Sequence, residues 1–232
     1  MSAIKSHPAA ESNPLGPPAD VVLIRKEIEA FFKTPADNGR RIGSHKWGIY
    51  AFYDYDGEPI YVGQTYEGLG GRIGRHLTNQ RTDAVAMNVL DPFEVAEIRV
   101  WPLDLSTMPK EKQREYLDRA EFTVFEKVLR ESKLGAVLNE KPPKKTQAVK
   151  LPKSYSHKII PDSIFLHRKH PDVRIARRAA TIASLARRIS ERSVKRGLRM
   201  TLLTQAKRLE RLANARLNDF PEGLEDEDEK AD

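Results

Sequence analysis

Two short runs of apolar and aromatic residues, separated by a turn sequence, constrain the fold of this chain most strongly. The first run is WGIYAFY, which begins at Trp47, and the second is IYVG, which begins at Ile60. DYDGEP stands between them, and its Asp, Gly and Pro residues are typical of a tight turn. The pattern predicts a β-hairpin in which Tyr50 and Tyr61 lie on adjacent strands.

Helices and one further strand are predicted on either side of this hairpin. Asp20 is the expected N-cap of an amphipathic helix over VVLIRKEIEAFFK, and a short helix is expected in the glycine-rich segment after Gly63. FEVAEIRVWPL is typical of a third strand, and apolar residues at helical spacing predict a longer helix from about Lys110 to Ser132. These elements predict an α/β fold of the α+β class, with a small sheet flanked by helices.

Changes in composition divide the chain into five segments. Residues 1–19 are rich in Pro, Ala and Ser and are predicted to form a disordered arm. Residues 20–141 form the predicted folded domain, and prolines and lysines mark the start of a linker over residues 142–160. Residues 161–220 are expected to be a basic helical region, and residues 221–232 an acidic, solvated tail.

Charge is distributed unevenly along the chain. Residues 141–220 carry a net charge of +16, residues 1–140 carry −3 and the tail carries −6. A segment this basic suits a polyanion, because each Lys or Arg placed on a phosphate releases condensed counterions. The cations predicted to contact DNA are Arg174, Arg178, Arg188, Arg192, Lys195 and Arg199. A solvated helical surface would have the same composition, so charge alone leaves both interpretations open.

Two amphipathic helices are predicted within the basic region, with Gly197 as the break between them. The first has its apolar face on Ile175, Ile182, Ala186 and Ile189, away from the arginines; the second has a leucine seam at Leu198, Leu202, Leu209 and Leu212. The seam requires a packing partner, which the sequence leaves open between the same chain and a second subunit.

Composition also excludes several kinds of site. The chain has no cysteine, which rules out disulfides and thiolate metal centres. No apolar run has the length needed to cross a bilayer, and the first residues lack the apolar centre of a signal peptide. We therefore expect a cytoplasmic protein without a membrane partner.

Glu121 is a candidate metal ligand, because it lies on the apolar face of the long helix with Leu117 and Val124. A buried carboxylate is unfavourable unless it pairs with a cation or binds a metal. A salt bridge is one interpretation. The other is a Mg²⁺ ion held by one carboxylate, water and a substrate phosphate.

Arg72 and His76 are four residues apart, so both project from one face of the short helix. An arginine there can make a two-pronged contact with a phosphate, and a histidine can accept a proton near neutral pH. Taken alone, such a pair is also common on ordinary protein surfaces.

Considered together, these residues resemble the GIY-YIG nuclease superfamily over about residues 46–141. The motifs that carry the resemblance are, in order, GIY at residues 48–50, YVG at residues 61–63, Arg72, His76, Glu121 and Asn139. Gln64 departs from excision-repair relatives, which have Lys there, and His76 replaces their Tyr in the manner of the restriction-endonuclease branch. One extra residue before Arg72 leaves Arg75 as an alternative for the arginine.

The resemblance implies a three-stranded antiparallel sheet flanked by helices, with residues 20–141 as the catalytic domain. The implied catalytic residues are Tyr50, Tyr61, Arg72, His76, Glu121 and Asn139. Glu121 would bind Mg²⁺, for which Mn²⁺ could substitute. Either Tyr50 or His76 would act as the base, and Asn139 is expected to brace the Glu121 helix or the water shell of the metal.

The implied activity is hydrolysis of phosphodiester bonds in double-stranded DNA, with a site-specific type II restriction enzyme as the preferred interpretation. A palindromic site needs one active site per strand, so a homodimer, at least on DNA, is expected. The alternatives are a homing or DNA-repair nuclease of the same superfamily and a DNA-binding protein that does not cleave.

Overall fold

The structure, a computed structural model, describes residues 16–78 and 89–220. Most of the arm predicted over residues 1–19 and the whole acidic tail of residues 221–232 lie outside the described residues. Apart from residues 79–88, the other predicted segments fall within them.

Helices flank a single sheet in the described residues. In chain order the elements are helix α1 (Ala19–Lys33), strands β1 (Trp47–Tyr53) and β2 (Pro59–Thr65), helix α2 (Leu69–Thr78), strand β3 (Glu97–Leu103), helix α3 (Lys110–Glu131), strand β4 (Tyr155–Lys158), and helices α4 (Asp162–Lys169), α5 (Pro171–Glu191) and α6 (Arg196–Asn218). The predicted hairpin, the third strand and the long helix are confirmed.

The sheet has four antiparallel strands in the order β2-β1-β3-β4, so the prediction of three strands is corrected. β4 covers part of β3, which would otherwise be an open edge strand with unpaired main-chain groups. Its sequence, YSHK, is too short and too polar to show a strand pattern. The strand falls inside residues 142–160, for which the sequence predicted a linker.

The two faces of the sheet carry separate cores because successive side chains of a strand point to opposite sides. Tyr50 and Phe52 of β1 face helices α1, α2, α5 and α6 in the first core. Ile49 and Ala51 face helix α3 in the second, where Val124 is fully buried. The GIY motif therefore contributes to both cores, and Tyr50 lies on the side of helix α2.

Helix α1 begins two residues earlier than predicted, at Ala19, and Asp20 is not its N-cap. Pro18 holds that position, and its carbonyl oxygen accepts hydrogen bonds from Val21 and Val22. Asp20 lies in the first turn, where it forms an ion pair with Arg168 of helix α4. The carboxylate thus joins two helices rather than capping one.

The leucine seam of helix α6 finds its partner within the chain. Leu198 is buried in the first core together with Leu185 of helix α5. Gly197 is not the break between the helices, since helix α5 ends at Glu191 and Gly197 lies in the first turn of helix α6. A side chain at Gly197 would collide with the carbonyl group of Glu140, so glycine permits close packing there.

Buried arginines fix the basic helices to the hairpin turn, in an arrangement that we call the Asp54 ion network. Its members are Asp54, Glu94, Arg174, Arg178 and Arg208. Asp54 binds Arg208 at 2.7 Å, Arg178 at 3.0 Å and Arg174 at 3.3 Å. The prediction that the arginines of helix α5 lie on the sides away from its packed apolar face is therefore wrong for Arg174 and Arg178.

Candidate active site

Tyr50, Arg72 and His76 meet between strand β1 and helix α2. The Tyr50 hydroxyl lies 2.9 Å from Nε2 of His76, and Nε of Arg72 donates a hydrogen bond to the Tyr50 oxygen over 3.4 Å. Since arginine can only donate, the Tyr50 proton is left to donate to His76, which we infer carries its own proton on Nδ1. The sequence predicted these three residues separately, and the structure brings them together.

The glycines of the two tripeptides permit this geometry by their lack of a side chain. Gly63 is paired with Tyr50 across strands β1 and β2, and a Cβ atom at Gly63 would lie 2.5 Å from the Tyr50 hydroxyl oxygen. A Cβ atom at Gly48 would lie 2.9 Å from the Leu69 side chain, at the start of helix α2. Gly48 therefore lets helix α2 approach strand β1, and Gly63 lets the Tyr50 ring lie close to strand β2.

Burial keeps Tyr50 and His76 uncharged. Desolvation is the largest cause that raises the pKa of Tyr50 well above its ordinary value, and the neighbouring Tyr61 adds to it. Desolvation also lowers the pKa of His76 to about 4, with further contributions from the charges of Arg72 and Arg75. At neutral pH the pair is therefore a neutral hydrogen-bonded phenol and imidazole.

Glu121 approaches the same place from the opposite face of the sheet, on helix α3. Burial first, and then the nearby carboxylate of Asp118, raises the pKa of Glu121 to about 7. Arg72 and Gln64 act in the other direction by favouring the charged form. Gln64 also donates a hydrogen bond to Asp118 at 2.9 Å, so the residue after YVG joins the strand to the helix.

These carboxylates fit a divalent cation that also uses water and substrate oxygens. Within residues 16–78 and 89–220, no three His, Asp or Glu side chains are arranged to hold a metal by themselves. Glu121 and Asp118 are one helical turn apart, which suits Mg²⁺, an ion usually bound by one or two carboxylates. The Oε1 atom of Gln64 is buried beside them without a hydrogen-bond partner, so it is a further oxygen donor available at this place.

The comparisons with known proteins bear on the same residues. The family model of the GIY-YIG catalytic domain matches residues 46–118. This region is about a third of the chain, and it contains Tyr50, Tyr61, Arg72 and His76 but ends before Glu121. The match makes residues 46–118 similar to the catalytic domain of the GIY-YIG nucleases, which in general depend on a divalent metal. No curated protein and no solved structure gave a significant match to the chain.

Tyr61, the second tyrosine of the motifs, lies on strand β2, and Asn139 is hydrogen-bonded to the main chain of that strand. The Tyr61 ring stacks with Tyr50 at a centroid distance of 6.3 Å and is half-buried. Asn139 accepts a hydrogen bond from the main-chain nitrogen of Val62 at 3.0 Å and donates one to its carbonyl oxygen at 2.7 Å. Asn139 therefore braces strand β2, and its hydrogen bonds do not reach the Glu121 helix, which was one of its expected targets.

Arg72, rather than Arg75, faces the GIY-YIG tyrosines. Arg75 is exposed and forms an ion pair with Glu67 at 2.6 Å. Gly68, whose φ of 111° favours glycine, stands in the turn between strand β2 and helix α2. Despite the one extra residue before it, Arg72 is therefore the arginine that reaches Tyr50.

The six cations predicted to contact DNA divide into two groups. Arg174 and Arg178 are 1% and 5% exposed and belong to the Asp54 ion network, so the prediction that they contact DNA is contradicted by their burial. Arg188 is half-buried, while Arg192, Lys195 and Arg199 are exposed at the junction of helices α5 and α6.

Asp118 and Gln64 complete the site, and sequence reasoning had assigned no role to Asp118. The available signal was its spacing, since it stands three residues before Glu121 and therefore on the same side of helix α3. Gln64 had been noted only as a departure from repair relatives. A glutamine and an aspartate do not by themselves predict the contact between Gln64 and Asp118. That contact depends on how helix α3 packs against strand β2.

Among the described residues, no helix combines the length and apolar character that a membrane span requires.

Proposed function

We propose that this chain is a divalent-metal-dependent DNA endonuclease of the restriction type. The observation that carries the proposal is the hydrogen bond between Tyr50 and His76 with Arg72 beside it. These three groups supply a proton acceptor and a fixed positive charge within one small site. Phosphodiester hydrolysis needs both, since a water must lose a proton while negative charge develops on the phosphate.

The proton path runs through the neutral pair. The attacking water gives its proton to the Tyr50 oxygen as the Tyr50 hydroxyl proton passes to Nε2 of His76, which becomes imidazolium. The water oxygen forms a bond to phosphorus, the bond to the leaving oxygen breaks, and that oxygen takes a proton from solvent. Tyr50 thus acts as the relay and His76 as the final acceptor.

Substrate binding makes this transfer easier. The charge of Arg72 is one of the causes that lower the pKa of His76. A DNA phosphate bound to Arg72 offsets that charge, so His76 accepts a proton more readily once substrate is present. The resting pair is therefore inert, and the phosphate itself prepares the base.

Glu121, with Asp118 and Gln64 beside it, would hold the divalent cation in this site. When bound, the cation supplies neutralisation of the phosphate and of the leaving oxygen. Its charge also suits the buried Glu121, because a nearby cation favours the ionised carboxylate that burial and Asp118 disfavour. Mg²⁺ is the expected ion, and Mn²⁺ is expected to substitute.

Double-stranded DNA is the proposed substrate, with a palindromic site and a homodimer formed at least on DNA. His76 in the place of a tyrosine supports the restriction type over a repair nuclease. The exposed cations Arg192, Lys195 and Arg199, together with Arg188, are the proposed contacts of the basic helices to DNA phosphates.

The direct test is digestion of long DNA of known sequence with Mg²⁺, with EDTA and the Glu121→Ala variant as controls. Discrete fragments that disappear in both controls are the expected result, and sequencing of their ends gives the recognition site. A smear that disappears in both controls would exclude the restriction type and favour a repair or degradative nuclease. Absence of cleavage with DNA binding intact would contradict the endonuclease and favour a non-cleaving DNA-binding protein.

A further inference from the structure

A groove of about 430 Å³ adjoins the candidate active site at the start of helix α3. We infer that it binds the DNA strand that carries the scissile phosphate, through the phosphates next to the cleaved bond. This inference rests on the proposed function and adds a substrate-binding site to it. The residues that line the groove include Lys46, Trp47, Tyr66, Lys110, Arg114 and Asp118.

The groove is continuous with the catalytic residues through one shared wall. Gln64 and Asp118 line the groove, and Gln64 donates a hydrogen bond to Asp118 over 2.9 Å. Asp118 and Glu121 are one turn apart on helix α3. A strand whose phosphate lies against Glu121 and Arg72 must therefore continue past Gln64, and the groove is the opening on that side.

Three exposed cations line the groove and provide its charge. Lys110 and Arg114 are one turn apart on the same face of helix α3, and Lys46 stands just before strand β1. None of the three forms an ion pair with an acidic side chain of residues 16–78 or 89–220, in contrast to Arg75 and Arg119, which pair with Glu67 and Glu115. Unpaired cations in a concave site are available to phosphates.

The acidic side chain in the groove does not cancel this charge. Asp118 is the acidic residue of the lining, and its carboxylate accepts the hydrogen bond from Gln64. It stands at the end next to Glu121, where a divalent cation is proposed. The far end, which carries Lys110 and Arg114, is basic.

Two aromatic side chains give the groove a surface against which a sugar of the strand can pack. Tyr66 is 64% exposed, so its ring is open to solvent at the groove. Trp47 lies under the Lys46 ammonium group, 5.0 Å from the ring centroid. In a duplex the bases stay paired, so the rings would pack against the sugars of the strand while the cations contact its phosphates.

The test compares two double variants of helix α3 with the same change of charge. Lys110→Ser with Arg114→Ser removes two groove cations, while Lys112→Ser with Arg130→Ser removes two exposed cations outside the groove. Both are made in the Glu121→Gln chain, so that binding to a DNA duplex is measured without cleavage, and both are repeated in the active chain to measure kcat/KM.

The groove variant is expected to bind DNA about tenfold or more weakly at moderate salt, with its log–log salt slope less steep by about two. Its kcat/KM should fall by a similar factor, and the control variant should stay within about twofold of its parent. Equal affinity and salt slope for the two variants would overturn the inference. In the same Glu121→Gln chain, Tyr66→Ser alone should weaken DNA binding. Tyr66→Phe should bind DNA as tightly as its parent, since packing against the strand needs the ring alone.

Failure of the proposed function gives a different result. If the unchanged chain cleaves no DNA, the endonuclease proposal fails, yet the binding comparison in the Glu121→Gln chain still decides the groove. If the chain cleaves DNA and the two double variants cleave equally well, the inference that the groove binds DNA fails while the proposed function stands.

Discussion

Two regions of this molecule hold charged side chains partly or fully away from water. They differ in the sign of the charges that surround those side chains. In the Asp54 ion network one carboxylate faces three arginines, namely Arg174, Arg178 and Arg208. In the candidate active site the half-buried Glu121 faces the like charge of Asp118, with Arg72 as the cation nearby. The first region has its charges paired, and the second needs additional positive charge.

The arginines of the two regions differ in the same way. Arg178 donates hydrogen bonds to Asp54, to Glu94 and to the carbonyl oxygen of Arg208. Arg72 has a weak contact of 3.4 Å with Tyr50 and is half-buried. An arginine with paired carboxylates holds the fold together, whereas one that faces a neutral hydroxyl remains available to a substrate phosphate.

The largest effect on stability is expected from removal of the shared carboxylate. Asp54→Ala leaves three buried arginines without their common partner, and loss of one member of a buried ion pair costs about 3–5 kcal/mol. Urea unfolding measures the change, and failure of the variant to fold would agree with it. A loss below about 1 kcal/mol would show that the network is not what attaches helices α5 and α6.

A smaller effect, which depends on pH, is expected from His76. Its pKa is about 4 in the folded protein, against an ordinary histidine value of 6.5, so the unfolded chain takes up a proton first as the pH falls. The stability that comes from the neutral side chain is therefore complete above pH 6.5 and is lost between pH 6.5 and 4. Between pH 7.5 and pH 5 this amounts to about 2 kcal/mol.

Urea unfolding of His76→Phe at the two pH values isolates this contribution, because Phe retains the ring packing against Tyr50, Tyr61 and Phe52. The stability of the variant should fall less than that of the unchanged protein on acidification. An identical fall in both proteins would contradict a buried neutral histidine.

The smallest effect on stability is expected from the exposed cations of the basic helices. Replacement of Arg192, Lys195 and Arg199 by Ser should change the free energy of unfolding by no more than about 0.5 kcal/mol. DNA affinity should fall similarly for all sequences, with a shallower salt slope, because phosphate contacts carry no base information. Unchanged DNA affinity would remove these residues from the DNA interface.

The hairpin, the third strand and the long helix could be predicted because their apolar residues recur at the period of a strand or helix. Strand β4 could not, since YSHK has no apolar alternation and pairs only because β3 has an open edge. Asp20 failed as an N-cap because Pro18 precedes it and starts the helix. Local patterns predict local structure, and these exceptions depend on contacts distant in sequence.

The site was predictable as far as its motifs reach. Tyr50, Arg72 and His76 were identified by order and spacing, and they do meet in space. Periodicity misplaced Arg174 and Arg178, because a helix with arginines on its inner face gives the same pattern as one with arginines in water. The burial of those two side chains depends on Asp54 and Glu94, which the sequence places at least 80 residues away.

The comparison of Arg72→Gln with Arg178→Gln tests the central claim most directly, with cleavage rate per folded molecule and urea unfolding measured for both. We expect Arg72→Gln to cleave DNA at least about a hundredfold more slowly while its stability stays within about 1 kcal/mol of that of the unchanged protein. Arg178→Gln should lose about 3 kcal/mol of stability while its folded fraction cleaves at close to the rate of the unchanged protein. Normal cleavage by Arg72→Gln, or an equal loss of cleavage in folded Arg178→Gln, would contradict the separation of the two regions.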